Sequence, residues 1–265
     1  MLVENNTQLI EKQSQEVFYP ELYNNLQPIM EADQSLKART GLDNLLEEMG
    51  ELICEFKLEN HIGLCLLHNH NLVEENHFMC EHLDSTRYSS QALVMEHTNR
   101  SEVSNVHVPV AIKVTGDNQL AALEFSTVDL AIENYQIFAE QREQFMPRFS
   151  EVLIKHDFHD LIGLSILRTD ALKPAKDEIL LEQSEMRMAN ILMISKHDPA
   201  ANHVQTNWQF EMVAIEPESD ESKVGVYAAA KCKPANYCKS YCDLGEDGKK
   251  HKPIHDQISH VSEVE

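Results

Sequence analysis

The chain is written twice. The stretch Glu51–Leu67 (ELICEFKLENHIGLCLL) returns as Glu151–Leu167 (EVLIKHDFHDLIGLSIL) at an offset of one hundred residues. Glu51/Glu151, Ile62/Ile162, Gly63/Gly163, Leu64/Leu164 and Leu67/Leu167 are identical, and the same offset pairs His97 with His197, Val110 with Phe210 and Ile112 with Met212. Self-similarity at a fixed period makes each copy a structural unit that buries its apolar face against the other. It also separates scaffold from chemistry. The first copy carries Cys65, His68, His70 and Cys80 where the second has Ser165, Arg168, Asp170 and Leu180.

The hydrophobic pattern of each copy reads as a helix followed by short strands. Leu42, Leu45, Leu46, Met49, Leu52, Ile53 and Phe56 recur at three- and four-residue steps, the mark of one buried helical stripe. Strands are expected near 62–68, 77–83, 91–97, 106–114 and 120–126. Among them Val106, Val108, Val110, Ile112 and Val114 alternate as a half-buried strand does. The second copy predicts a helical region over 129–157, broken near Pro147, and strands near 162–168, 178–183, 189–195, 204–215 and 223–230. Gly63 and Gly163 are read as the helix-to-strand joins. Short connections leave no room for helical crossovers, so the strands are expected to run antiparallel. The fold class is α+β: two pseudo-symmetric helix-plus-antiparallel-meander repeats in one body, joined edge to edge or stacked face to face. The expected divisions are a helical segment over 1–40, repeat units over 41–128 and 129–231, and a tail over 232–265.

That tail, KCKPANYCKSYCDLGEDGKKHKPIHDQISHVSEVE, is rich in Cys and His and nearly free of aliphatic residues. Such a segment does not order itself by burial; it needs a metal or a docking surface, or it has no order at all. Cys238-x3-Cys242 and His251-x3-His255 offer two thiolates and two imidazoles, a donor set that suits tetrahedral zinc, with Cys232 as a spare ligand. The likeness to a Cys2His2 site is in ligand type only, because the interval between the pairs is short.

His68-x-His70 is the second candidate. If the strand runs through it, both imidazoles project on one face at the strand end, where apolar face meets solvent, and grip one ion. His77, Cys80, Glu81, His82 and Glu96, on strands expected alongside, are available to complete the set. Tail and strand ligands would form one site if the tail folds back over the first copy. Phosphate-binding glycine loops, a GxSxG elbow and HExxH do not occur. HNH at 68–70 and HD at 156–157 are letter strings without the surrounding ligands of a nuclease or phosphohydrolase.

A formal charge of −22 argues against nucleic acid and anionic membranes as partners and leaves a basic protein partner open. No apolar run approaches a membrane span, and the first residues, MLVENNTQLIEKQ, do not read as a secretory signal. Six cysteines are too few for a disulfide scaffold, so a cytoplasmic chain with reduced thiols is expected. Three functions follow as expectations. The first is a zinc-binding protein. The second is a metal-dependent enzyme open at His68/His70, with Glu81 or Glu96 as base. The third is an acidic interaction module.

Overall fold

The computed structural model describes residues 20–86, 91–102, 107–115, 120–173, 175, 178–185, 189–196, 203–214, 230–234 and 240–243. Within them the helices form as their apolar stripes require. Helix α1 spans Pro20–Asn24, α2 Ile29–Ala38, α3 Leu42–Glu55 and α4 Asp129–Lys155. On α3, Leu45, Leu46, Met49, Leu52 and Ile53 are buried. Helix α4 runs unbroken through Pro147, contrary to the expected break. A proline removes one backbone donor, but Phe145, Met146, Phe149, Val152 and Leu153 on either side are all buried. Packing of that face outweighs the missing bond. Among the described residues no helix is long and apolar enough to cross a membrane.

Each helix then turns into its strand the same way. Lys57 and Asp157 take left-handed backbone conformations, φ 58° and 59°. The amide of Leu58 donates to Ile53 O and that of Lys57 to Cys54 O, while Phe158 donates to Leu153 O and Asp157 to Ile154 O. This is the Schellman pattern that closes a helix C-terminus. The glycines are therefore not the joins. Gly63 and Gly163 lie inside strands, where neighbouring backbone comes close. A Cβ on Gly63 would collide with the carbonyl oxygen of Trp208, and one on Gly163 would meet Leu67 Cδ2 at 2.6 Å and Ile112 O at 2.7 Å.

The strands are β1 Ile62–Leu66, β2 His77–Asp84, β3 Ala92–Asn99, β4 Val108–Val114, β5 Leu120–Ser126, β6 Ile162–Ile166, β7 Glu178–Glu185, β8 Ala189–Lys196, β9 His203–Gln205, β10 Asn207–Trp208, β11 Phe210–Ala214, β12 Ala230–Pro234 and β13 Ser240–Asp243. Eleven of them make one sheet, ordered β10-β1-β6-β4-β5-β2-β3-β8-β7-β13-β9, and β11 pairs β12 separately. Its two end strands, β9 and β10, flank the single residue Thr206, so the sheet curls until both edges meet on one extended run. The fold is a mixed α+β fold with a curled, partly mixed sheet. Purely antiparallel meanders were expected. Instead β2 runs parallel to β5 and β13 parallel to β7. The first of these parallel contacts arises because the β2–β3 and β4–β5 hairpins lie side by side, with no helix crossing the sheet. Segments distant in the chain are joined within the sheet by the antiparallel pairs β1–β6 and β3–β8. The main core fills the space between α2, α3, α4 and the sheet, and includes Leu64, Val110, Ile112, Phe149, Leu164 and Phe210.

Candidate metal centre

His68 and His70 lie just past the end of β1 and not within it. The chain there is held by the N-terminal helices. The amide of Asn69 donates to Gln27 O at 3.0 Å, its side-chain amide to Leu26 O at 2.6 Å, and the amide of His70 to the buried Tyr23 hydroxyl at 3.2 Å. The two rings meet edge to face with centroids 4.5 Å apart. They were expected at the solvent edge of a strand. Both are buried instead: His68 is 8% exposed and the His70 side chain 6%. The α1–α2 segment, which carries no metal-site signal of its own, covers them.

Glu182 of β7 completes the group. Ligand atoms of His68, His70 and Glu182 all lie within 4.8 Å of one another, and the cluster is capable of coordinating a metal ion. His70 Nδ1 is 2.8 Å from Glu182 Oε1, and its Nε2 is 3.1 Å from Glu124 Oε1 on β5. Were an ion held at Nδ1, Nε2–H would donate to Glu124, the carboxylate–histidine–metal arrangement that fixes a ligand ring. His68 is oriented in the same manner. Its Nδ1 lies 2.8 Å from Leu66 O and donates to that carbonyl, which directs Nε2 and its lone pair elsewhere.

The trio opens on a cavity of about 60 Å³, lined by residues that include Cys65, Glu81, Glu124, Arg168, Asn190 and Thr206. That is room for an ion with roughly a few waters. Arg168 Nε donates to Glu81 at 2.7 Å, and Ser126 Oγ donates to the same carboxylate at 3.2 Å. Burial pushes His68 down to about 4, helped by the charge on His70. Burial also disfavours charge on His70. The charge of Glu182, reinforced by hydrogen bonding to Glu124 and Glu182, reverses that and holds the ring up at about 10. Burial works against the Glu124 carboxylate as well, but the His70 hydrogen bond holds it below its usual range. Cys65 donates to Leu164 O at 3.7 Å, and burial pushes its thiol up to about 12, so it is a neutral core group.

The other expected residues are distributed differently. Cys80 is buried in a second apolar cluster, and its thiol is likewise pushed up to about 12 by burial. Strand β2 does not adjoin β1, whose neighbours are β10 and β6, so His77, Cys80 and His82 do not stand beside the histidine pair. Glu81 reaches the cavity from across it, committed to Arg168, while Glu96 does not line it. Of the tail ligands, the backbone of Cys232 lies on β12 opposite Met212, and that of Cys242 lies on β13 beside Glu182 and Val204. Cys238, His251 and His255 lie outside the described residues.

The sequence reading missed Glu124 and Glu182. A signal was available for Glu124 alone, the one charge in the strand LAALEFS, whereas Glu182 shares its strand EILLEQSE with two other glutamates. A buried carboxylate in such a run needs a partner. No protein-family model matches the chain, and neither a curated protein nor a solved structure is significantly similar to it.

Proposed function

We propose that this is a metal-binding protein whose resident ion is a divalent transition metal, zinc first, held by His68, His70 and Glu182. The observation that carries the reading is the charge balance around those ligands. Three carboxylates, Glu81, Glu124 and Glu182, line the cavity against one guanidinium, Arg168. In the metal-free chain the proton on His70 leaves one uncompensated negative charge in a buried space, and with His70 neutral as a ligand two would remain; isolated buried charge is costly. A divalent cation neutralises them. Two imidazoles and one carboxylate are also a donor set used for catalytic zinc, which keeps a further position for water. A metal in such a site supplies a Lewis acid and lowers the pKa of bound water. An enzymatic role would rest on that open position, with Glu81 already paired to Arg168.

The test is metal content after reconstitution with Zn²⁺, Fe²⁺ or Mn²⁺ and gel filtration. One ion per chain is expected, lost in His68→Ala, His70→Ala and Glu182→Gln while the circular dichroism spectrum persists. Failure of all three ions to co-elute with the wild-type chain sinks the reading.

One observation favours a second version. The backbone of Cys242 stands beside Glu182 in the β13–β7 ladder, and a thiolate from that strand would be the fourth ligand. That site would be closed and structural. Cobalt substitution distinguishes the two, because a thiolate ligand brings a sulfur-to-metal charge-transfer band that Cys242→Ser abolishes. A separate tail site built from Cys238, Cys242, His251 and His255 would instead raise the stoichiometry to two.

We also infer that the chain arose by duplication. Starting from β6, the sheet order runs β4, β5, β2, β3; starting from β1 it runs β10/β9, β13, β7, β8. Each run contains one parallel step, β5–β2 and β13–β7. The register of β1 on β6, Ile62↔Ile166, Leu64↔Leu164 and Leu66↔Ile162, is unchanged when the offset of one hundred is applied. Strand β13 departs from that offset, so it fills the slot without being the sequence counterpart of β5.

A further inference from the structure

Cys54, on the last turn of α3, is disulfide-bonded. This departs from the expectation of fully reduced thiols. The chain has six cysteines, and Cys65 and Cys80 are free, so the partner is Cys232, Cys238 or Cys242. Topology separates the candidates. Cys232 is the third residue of β12, and both β11 and β12 pack against α3. Cys242 sits on β13, laddered between β7 and β9 in the curled sheet.

We propose that Cys54 and Cys232 form this bond, a covalent clasp that fastens the β11–β12 hairpin to helix α3. The oxidant is a small disulfide such as oxidised glutathione. The thiolate of one cysteine attacks it, forming a mixed disulfide and releasing one small thiol. The second thiolate then displaces the other small thiol as the protein bond closes. In sum, two protein thiols lose two protons and two electrons, and one small disulfide becomes two thiols.

The clasp bears on the cavity through chain connection. Strand β11 follows β10 after the single residue Gln209, and Thr206 and Asn207, on the run that closes the sheet, line the cavity. A bond across so long a loop also removes freedom from the unfolded chain. It persists where the surroundings are oxidising and opens where glutathione is reduced.

The full-length chain is equilibrated with oxidised or with reduced glutathione, its free thiols are alkylated, and it is digested without reductant for mass spectrometry. The expected result is one cross-linked peptide pair carrying Cys54 and Cys232 in the oxidised sample, absent from the reduced one. Cys54 joined to Cys238 or Cys242, or Cys54 fully alkylated in the oxidised sample, overturns the proposal. A second measurement compares thermal midpoints under oxidising conditions. Cys54→Ser, Cys232→Ser and the double variant should all fall by the same amount, on the order of 10 °C. A loss in Cys54→Ser alone contradicts the pairing. Neither readout depends on bound metal.

Discussion

His70 is the residue on which the site turns, because each ring nitrogen faces a carboxylate, Glu182 at 2.8 Å and Glu124 at 3.1 Å. Only the first is read as a ligand. Glu124→Gln should therefore keep the metal stoichiometry but weaken affinity about 10- to 100-fold, the usual cost of losing a ring-orienting carboxylate. Competition with a chromophoric chelator measures it. An unchanged affinity would remove Glu124 from the site. In the metal-free chain the same pair of carboxylates holds a proton on His70. Its folded pKa of about 10 lies above the unfolded value of roughly 6.5. The stabilisation is complete below pH of about 6.5 and is lost as pH rises through about 10. The thermal midpoint of chelator-treated protein should fall across that window. His70→Asn should flatten the slope, and a slope that survives the substitution assigns the titration elsewhere.

At the scale of elements, the two helix ends repeat a strained solution. Lys57 and Asp157 hold a left-handed conformation that glycine adopts without cost. Lys57→Gly and Asp157→Gly should each raise stability by about 1 kcal/mol, read from denaturant midpoints at constant slope. A loss in either would mean that its side chain contributes more than its backbone costs. The helices themselves are complementary. Glu48 of α3 pairs with Lys155 of α4 at 2.8 Å, and Glu55 pairs with Arg148 at 2.6 Å. The offset of one hundred relates Glu48 to Arg148 and Glu55 to Lys155, so equivalent positions carry opposite charge. Exposed pairs of this kind add little stability. They favour pairing one half with the other over pairing either half with its own copy.

For the whole molecule, the curled sheet brings β1, β5 and β7 to a single cavity. Metal bound there would tie these distant strands together and would stabilise only the folded chain. Free ion at 100 times the dissociation constant contributes about 2.7 kcal/mol. Removing it with chelator should lower the thermal midpoint of wild type and leave that of His68→Ala/His70→Ala unmoved. An equal drop in both would mean that the chelated ion sits elsewhere.

Much of the scaffold was readable in the residues. The three-and-four spacing from Leu42 to Phe56 found its helix, because local periodicity reports which face is buried, and the alternation read from Val106 to Val114 found a strand over Val108–Val114 that is buried on both faces and not half-buried. The histidine pair was readable too, since His68-x-His70 interrupts a repeat whose other copy reads Arg168 and Asp170. The sequence by itself determined most of the helices and strands and pointed to one histidine pair. Only the tertiary structure decided the rest. It buried the pair under α1–α2, ran α4 through Pro147, and set two strands parallel to their neighbours. It also brought Glu182 to His70 across more than one hundred residues of chain. Carboxylate ligands are chosen by which strands the sheet makes neighbours across its interior. That is a property of packing between distant segments, and no local pattern of forty-four acidic residues encodes it.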